Sequence, residues 1–369
     1  LKASFIGDSL PSWQAGTDCC HHWEGVTCDV ALGRVISLDL GEFDLTSSRL
    51  DPALFNLTSL RNLSLAFNDF SGALLPASGF ERLMDIIHLN LSGPNFGFQI
   101  PIGIACLKNL VTLDLSGPIH PSFSRLRSLT TINLGYNKFE GHFPTKIFQL
   151  KSLRTLDLSD NHMLSVRLTH FPAGNNLETL NLAGTNFSCD MPSSFGNLEY
   201  VKTLGLNMMR IDDELLYLIS KLPLLDDLRL RLMGSDLENP GLSWVSNLTQ
   251  LTDLMLDSYD FSKSVPTWIG KLTRLESLTI VDCSFSMPIP YQIGNLTKLV
   301  ELEFLSCDFP EQRMPSWIGN LTKLVSFTID DCNFSGPIPS TIGNLIQLEE
   351  LVVFSSHISG ETMSRLLSS

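Results

Sequence analysis

The chain is 369 residues long, 43% of them hydrophobic and 17% charged, a composition that buries a large apolar interior and excludes intrinsic disorder. Its formal charge of -14 at pH 7 argues against nucleic acid and against adsorption to an anionic membrane, and favours a cationic or neutral partner. No stretch approaches the roughly 20 apolar residues of a membrane helix, since even residues 215–225 are interrupted by Lys221 and Pro223.

The amino terminus, Leu1-Lys2-Ala3-Ser4-Phe5, lacks the basic start, apolar middle and small-residue cleavage site of a signal peptide. Next come Cys19, Cys20, His21, His22 and Cys28, residue types that bind zinc. Their crowding disfavours it, because convergent ligands need wider spacing, so no metal site is expected.

From Leu38 the chain repeats itself. The pattern L-x-x-L-x-x-L-x-L runs through Leu57-Leu60-Leu63-Leu65, Leu150-Leu153-Leu156-Leu158 and Leu272-Leu275-Leu278-Ile280. The first inward residue of each L-x-L pair falls at fourteen positions: Leu38, Leu63, Leu89, Leu113, Ile132, Leu156, Leu180, Leu204, Leu228, Leu254, Leu278, Leu302, Phe327 and Leu351. Alternating residues of such a segment form a short strand with leucines inward and x residues outward. One repeat cannot cover its own apolar edge, so stability comes from stacking on neighbours about 4.8 Å apart. The step from Leu113 to Ile132 is only 19 residues, and a local distortion is expected there.

Two further columns follow each strand. Seven residues beyond the first strand leucine stand Phe70, Phe96, Phe139, Phe187, Phe261, Phe285, Phe309 and Phe334, which read as an aromatic spine in the core. Five residues beyond it stand Asn68, Asn137 and Asn161, and then Cys283, Cys307 and Cys332. Asparagine there satisfies backbone groups where the chain leaves the strand, and the cysteines read as small buried substitutes with weak donors. Disulfides or a metal site are the rival readings, disfavoured because an evenly spaced parallel column makes poor tetrahedral geometry.

Beyond the strands come Phe70-Ser71-Gly72, Phe139-Glu140-Gly141-His142-Phe143-Pro144 and Phe334-Ser335-Gly336-Pro337-Ile338-Pro339, then Ile342-Gly343-Asn344-Leu345. Together these resemble the plant-specific leucine-rich repeat, although the repeats at Leu204 and Leu228 lose the Gly-x-Ile-Pro half. The stretch Asp18-Cys19-Cys20-His21-His22-Trp23-Glu24-Gly25-Val26-Thr27-Cys28 resembles that family's amino-terminal cap. The resemblance implies an α/β repeat solenoid: a right-handed leucine-rich-repeat superhelix with a parallel sheet on the concave face and short 3-10 or irregular segments on the convex side. It implies a cap over residues 1-33, truncated at its start, and repeats over 34-369 with no closing cap. It also implies a disulfide between Cys20 and Cys28, and leaves Cys19 without its usual upstream partner. Cys106 and Cys189 have no cap context and are expected unpaired.

The family's closest functional pattern is that of receptor-like proteins and receptor-like kinase ectodomains. This implies extracellular recognition of a peptide, protein or microbial-pattern ligand, in immune or developmental signalling, through a co-receptor kinase. A soluble inhibitor similar to the polygalacturonase-inhibiting proteins is the alternative, disfavoured by fourteen repeats and no closing cap. A membrane would be reached only through an anchor absent from this chain. Sequons at Asn56, Asn62, Asn90, Asn186, Asn247, Asn295, Asn320 and Asn333, with the capped start, point to the secretory pathway and the outer side of the plasma membrane.

Catalysis has no visible machinery, and neither enzyme activity nor a cofactor is expected. Asp212-Asp213, Asp226-Asp227 and Asp330-Asp331 are paired carboxylates, but neighbours on a strand face opposite sides. There is no phosphate loop, kinase signature or Gly-x-Ser-x-Gly elbow. Binding is expected instead on the outward x residues. Up to Asn181 these are short Asp, Asn and Ser side chains; from Arg229 onward each repeat differs. The expected ligand-binding residues are Arg229, Arg231, Asp253, Met255, Asp257, Glu301, Glu303, Leu305, Asp330 and Phe354, with Met255, Leu305 and Phe354 as exposed apolar groups. Alanine at Arg229, Arg231 and Glu303 is expected to abolish binding at unchanged thermal stability.

Overall fold

The computed structural model describes residues 2, 5, 10–47, 49–70, 75–93, 101–115, 121–137, 139–188, 192–208, 213–232, 242–261, 266–310 and 312–354. Phe96, Cys189 and Asp212 lie outside them. The chain forms two units, residues 1–200 and 201–369.

In the first unit, L-x-L segments pair as parallel strands in strict register: Leu38, Leu63, Leu89, Leu113, Ile132, Leu156 and Leu180 stand side by side, all fully buried. Buried leucines at a period of two fix this register, because a slip of one residue would turn each of them to solvent. The short step is absorbed without a break, since Thr112, Leu113 and Asp114 pair directly with Thr131, Ile132 and Asn133. The expected distortion therefore does not reach the sheet. Between strands, 3-10 segments such as Pro52–Asn56, Ile102–Cys106 and Thr145–Gln149 return the chain to the next repeat.

The asparagine column does the work its chemistry suggests. Asn161 is fully buried; its amide donates to the carbonyls of Leu134, Leu158 and Ser159 at 2.8, 2.9 and 3.0 Å, and its Oδ1 accepts from the Phe139 amide at 3.1 Å. Asn68 repeats this with Leu40, Leu65, Ala66 and the Leu45 amide. One side chain thus bonds backbone groups from two successive coils, with the Ser159 and Ala66 carbonyls accepting in addition from the Tyr136 and Glu42 amides.

The first unit opens with the disulfide Cys20–Cys28, which ties the helix Cys19–His22 to Val26–Cys28, a strand antiparallel to Val35–Asp39. Trp13 is buried beneath it, stacked on Trp23 at 4.8 Å between ring centroids and donating Nε1 to the Glu24 carbonyl at 2.9 Å. Gly25, at φ 75°, has no room for a side chain: a Cβ there would lie 2.2 Å from the Asp39 carbonyl oxygen.

The second unit repeats the stack with Leu204, Leu228, Leu254, Leu278, Leu302, Phe327 and Leu351 in register. After Leu204, where the Gly-x-Ile-Pro half is lost, the chain forms the helix Asp213–Ser220. The phenylalanine spine is continuous here: Phe261, Phe285, Phe309 and Phe334 follow one another at 5.0, 4.5 and 5.6 Å. At Gly319, in one Ile-Gly-Asn-Leu segment, the neighbouring coil leaves no room for a side chain, since a Cβ there would meet the Thr341 carbonyl oxygen at 2.6 Å.

Cys283, Cys307 and Cys332 are buried free thiols that reproduce the asparagine geometry. Cys283 Sγ accepts from the Tyr259 amide at 3.3 Å, and Cys332 Sγ from the Cys307 amide at 3.3 Å. Cys307 donates to the Ile280 and Leu305 carbonyls, and Cys332 to those of Phe304 and Asp330. Burial pushes the Cys283 thiol up to about 12, so it stays protonated and unreactive at neutral pH. Thiol alkylation of the native protein is therefore expected to label the exposed Cys106 and to spare all three ladder cysteines until denaturant is added, as peptide mapping would show.

Tyr259 holds the ladder position of the preceding repeat, and among the described residues its buried hydroxyl has no hydrogen-bond partner. Removing an unsatisfied buried hydroxyl removes its desolvation cost, so Tyr259→Phe is expected to raise stability by about 1 kcal/mol. A lower melting temperature would contradict this.

Candidate functional site

Each of the seven main strands of the second unit turns three residues to the face away from the leucines, Gly205 among them without a side chain, and the register sets them in three columns. Residues preceding the strand leucine align as Thr203, Asp227, Asp253, Ser277, Glu301, Ser326 and Glu350. The central column runs Gly205, Arg229, Met255, Thr279, Glu303, Thr328 and Val352, and the third Asn207, Arg231, Asp257, Val281, Leu305, Asp330 and Phe354. All ten residues expected from the sequence to bind ligand therefore stand on one sheet face of one unit.

The columns divide electrostatically. At the start of the face, opposite charges satisfy each other. Arg229 donates Nε and Nη2 to the two carboxylate oxygens of Asp227 at 3.2 and 3.0 Å, and Arg231 Nε lies 3.1 Å from Asp257 Oδ2. Farther along, carboxylates meet hydroxyls: Ser277 donates to Glu301 at 3.0 Å and Thr279 to Glu303 at 3.2 Å. Burial holds the Glu303 carboxyl above the ordinary carboxylate range; Glu301 and Glu350 push it the same way, against the Thr279 hydrogen bond.

Two sequence expectations need correction. The third column is only partly open to solvent: Asn207 and Asp257 are buried, and Arg231, Val281 and Leu305 half-buried. The chain leaves the strand at the next residue, which is left-handed at Ser258, Asp282, Ser306 and Asp331 with φ of 62, 51, 50 and 49°. Met255 and Leu305 are likewise half-buried, and of the three apolar residues singled out only Phe354 is exposed. Alanine at Arg231 would strip a buried Asp257 of a counter-charge, which is costly, so that substitution cannot leave stability unchanged.

The other motifs take ordinary structural places. Cys19, Cys20 and Cys28 bring their sulfurs within 4.8 Å of one another, but Cys20 and Cys28 are bonded and His21 is engaged by Asp18 at 2.8 Å. Asn56, Asn247, Asn295 and Asn320 are exposed at the ends of 3-10 segments, and Asn62 and Asn186 are exposed on strands. Asn90 and Asn333 are half-buried, with Asn90 Oδ1 accepting from Ser92 and Asn333 Nδ2 donating to Asp308 and the Phe309 carbonyl. Among the described residues, no helix is long and apolar enough to cross a membrane.

The leucine rich repeat family model matches residues 120–163, 176–198 and 323–345, and that of the leucine rich repeat N-terminal domain matches residues 1–29. The chain is 42% identical over 115 residues to Receptor-like protein 6 of Arabidopsis thaliana, covering 30% of this chain and 11% of that protein. It is 44% identical over 70 residues to Receptor-like protein Cf-9 of Solanum pimpinellifolium, covering 17% and 7%. The matches thus span a small fraction of these relatives' length. Among solved structures it is similar to the plant peptide hormone receptor RGFR1 in complex with RGF2, with a TM-score of 0.52 at 25% identity over 91% of this chain and 57% of that one. A Leptospira interrogans LRR protein, LIC12759, shares the fold with a TM-score of 0.52 at 23% identity, over 86% and 84%.

Proposed function

Because the chain is a leucine-rich-repeat protein similar to plant receptor-like proteins, we propose that it is an extracellular recognition module that binds a peptide, protein or microbial ligand on the strand face of its second unit. The observation that carries this reading is the face itself. Seven strands hold their outward side chains in register, yet these side chains have no repeating character, while the leucines behind them do. Stability requires the inward column; the variety outside serves something else. The similar peptide-bound RGFR1 ectodomain supports a peptide or protein as the ligand. Signalling, immune or developmental, passes to a co-receptor kinase.

Glycans belong on the exposed sequons Asn56, Asn62, Asn186, Asn247, Asn295 and Asn320 rather than on Asn333, whose amide nitrogen is engaged. A glycan on Asn62 occupies the strand face of the first unit, whereas those on Asn247, Asn295 and Asn320 sit on 3-10 segments and leave the second unit's face clear.

The test is a pull-down with the secreted, glycosylated chain, followed by single substitutions. Thr279→Trp and Thr328→Trp crowd the central column and are expected to weaken capture of the recovered partner at least tenfold at unchanged melting temperature. Ser316→Trp, on an exposed 3-10 position, is expected to leave it unchanged. Equal capture by all three variants would overturn the reading.

A further inference from the structure

The last four described strands of this sheet, Ser277–Val281, Glu301–Leu305, Ser326–Asp330 and Glu350–Phe354, present twelve outward side chains. Four are carboxylates, Glu301, Glu303, Asp330 and Glu350; four are the hydroxyls Ser277, Thr279, Ser326 and Thr328; four are the apolar Val281, Leu305, Val352 and Phe354. None is basic. This contrasts with the first strands of the same face, where Arg229 and Arg231 already neutralise Asp227 and Asp257. Among the described residues these carboxylates thus have no salt-bridged basic partner, and they stand beside apolar side chains of which Phe354 is exposed.

We propose that this part of the face takes an extended cationic peptide segment lying across the strands, with two basic side chains against Glu301/Glu303 and Glu350 and an apolar one against the exposed Phe354. The inference rests on the binding role proposed above and specifies its chemistry. Charge complementarity selects a basic occupant, and the apolar side chains among the carboxylates, Phe354 above all, select one that is not basic throughout. Spacing narrows it further. Glu301 and Glu350 stand two strands apart, about 9.6 Å at the usual strand separation. A polyproline II segment returns a side chain to the same side every third residue, with a rise of about 9.3 Å, so basic residues at i and i+3 match the carboxylates. An acidic or uncharged peptide would meet like charge or leave carboxylates desolvated without a counter-charge.

The test is selection from a random displayed peptide library against the intact chain. Enriched peptides are expected to carry Lys or Arg three residues apart beside an apolar residue. Their affinity is expected to fall about tenfold or more in Glu301→Gln/Glu303→Gln and to stay within twofold in Glu42→Gln/Glu140→Gln, which removes the same charge from exposed sites in the first unit. Equal losses in both double variants would reduce the effect to net charge and overturn the proposal. Peptides without basic residues that are displaced by Thr328→Trp but indifferent to Glu301→Gln/Glu303→Gln would overturn the cationic chemistry and leave the binding face standing. Peptides indifferent to both would overturn face and chemistry together. Isosteric Gln substitutions are expected to keep the melting temperature, because a half-buried Glu303 loses only a desolvated charge.

Discussion

Asn161→Ala is expected to destabilise the first unit by about 3 kcal/mol or more, the cost of several buried polar groups left unpaired. The substitution deletes four hydrogen bonds at once and takes a side-chain partner from the carbonyls of Leu134 and Leu158 and the amide of Phe139, while the Ser159 carbonyl keeps the Tyr136 amide. Water cannot replace it readily, since Asn161 is fully buried. Denaturant unfolding measures the loss, and amide exchange at Phe139 locates it. Asn161→Cys is expected to lose clearly less than alanine, because Cys307 and Cys332 hold the equivalent place in the second unit by the same combination of weak donor and acceptor. A loss below about 1 kcal/mol for alanine, the size of one ordinary hydrogen bond, would mean that the ladder is not what closes the turns.

Phe309→Ala is expected to cost about 3–5 kcal/mol in the second unit, in the range for truncating a buried aromatic. Phe309 is fully buried, stacked on Phe285 at 4.5 Å, tilted against Phe334 at 5.6 Å and edge-on to Phe304 at 5.7 Å. Its removal opens a cavity that neighbouring coils cannot fill without breaking strand register. Phe309→Leu, which keeps much of the volume, is expected to lose markedly less. Similar losses for the two would show that ring stacking, and not cavity volume, carries the term.

Much of the repeat was legible in the sequence because burial imposes a period that spacing reveals. Leu63 and Leu65 point inward for the same reason as Leu278 and Ile280, and the chain says so by alternation alone. The ladder at Asn68 and Cys283 was legible for a different reason: a polar or small residue recurring among leucines must satisfy backbone. Other features left no chemical trace. The residue before the ladder is left-handed whether it is Phe67, Tyr136, Asp160 or Ser306, and a position so mixed in composition gives no signal. A second aromatic column, Phe148, Phe171 and Phe195 at 5.6 and 6.2 Å, lies in the 3-10 segments at Phe148 and Phe195 and in irregular chain at Phe171, where spacing from the strand varies by a residue. Small parallel pairings after the main strands, such as Asp260–Phe261 with Ser284–Phe285, were likewise not foreseen.

The binding face was legible as a set of columns but not as a set of interactions. Arg229 and Arg231 drew attention as large charged residues at outward positions; only the paired geometry shows that Asp227 and Asp257 already engage them. The Arg231 to Asp257 pairing spans 26 residues of sequence and becomes a neighbour relation once the strands are set in register.

Photo-crosslinking tests the central claim most directly. A benzoylphenylalanine placed at Thr328, in the central column of the second unit, is expected to couple covalently to bound partner on illumination, whereas the same group at the exposed Ser316 of the neighbouring 3-10 segment is expected to yield none. Crosslinks from Ser316 with none from Thr328 would place the partner on another surface and contradict the account.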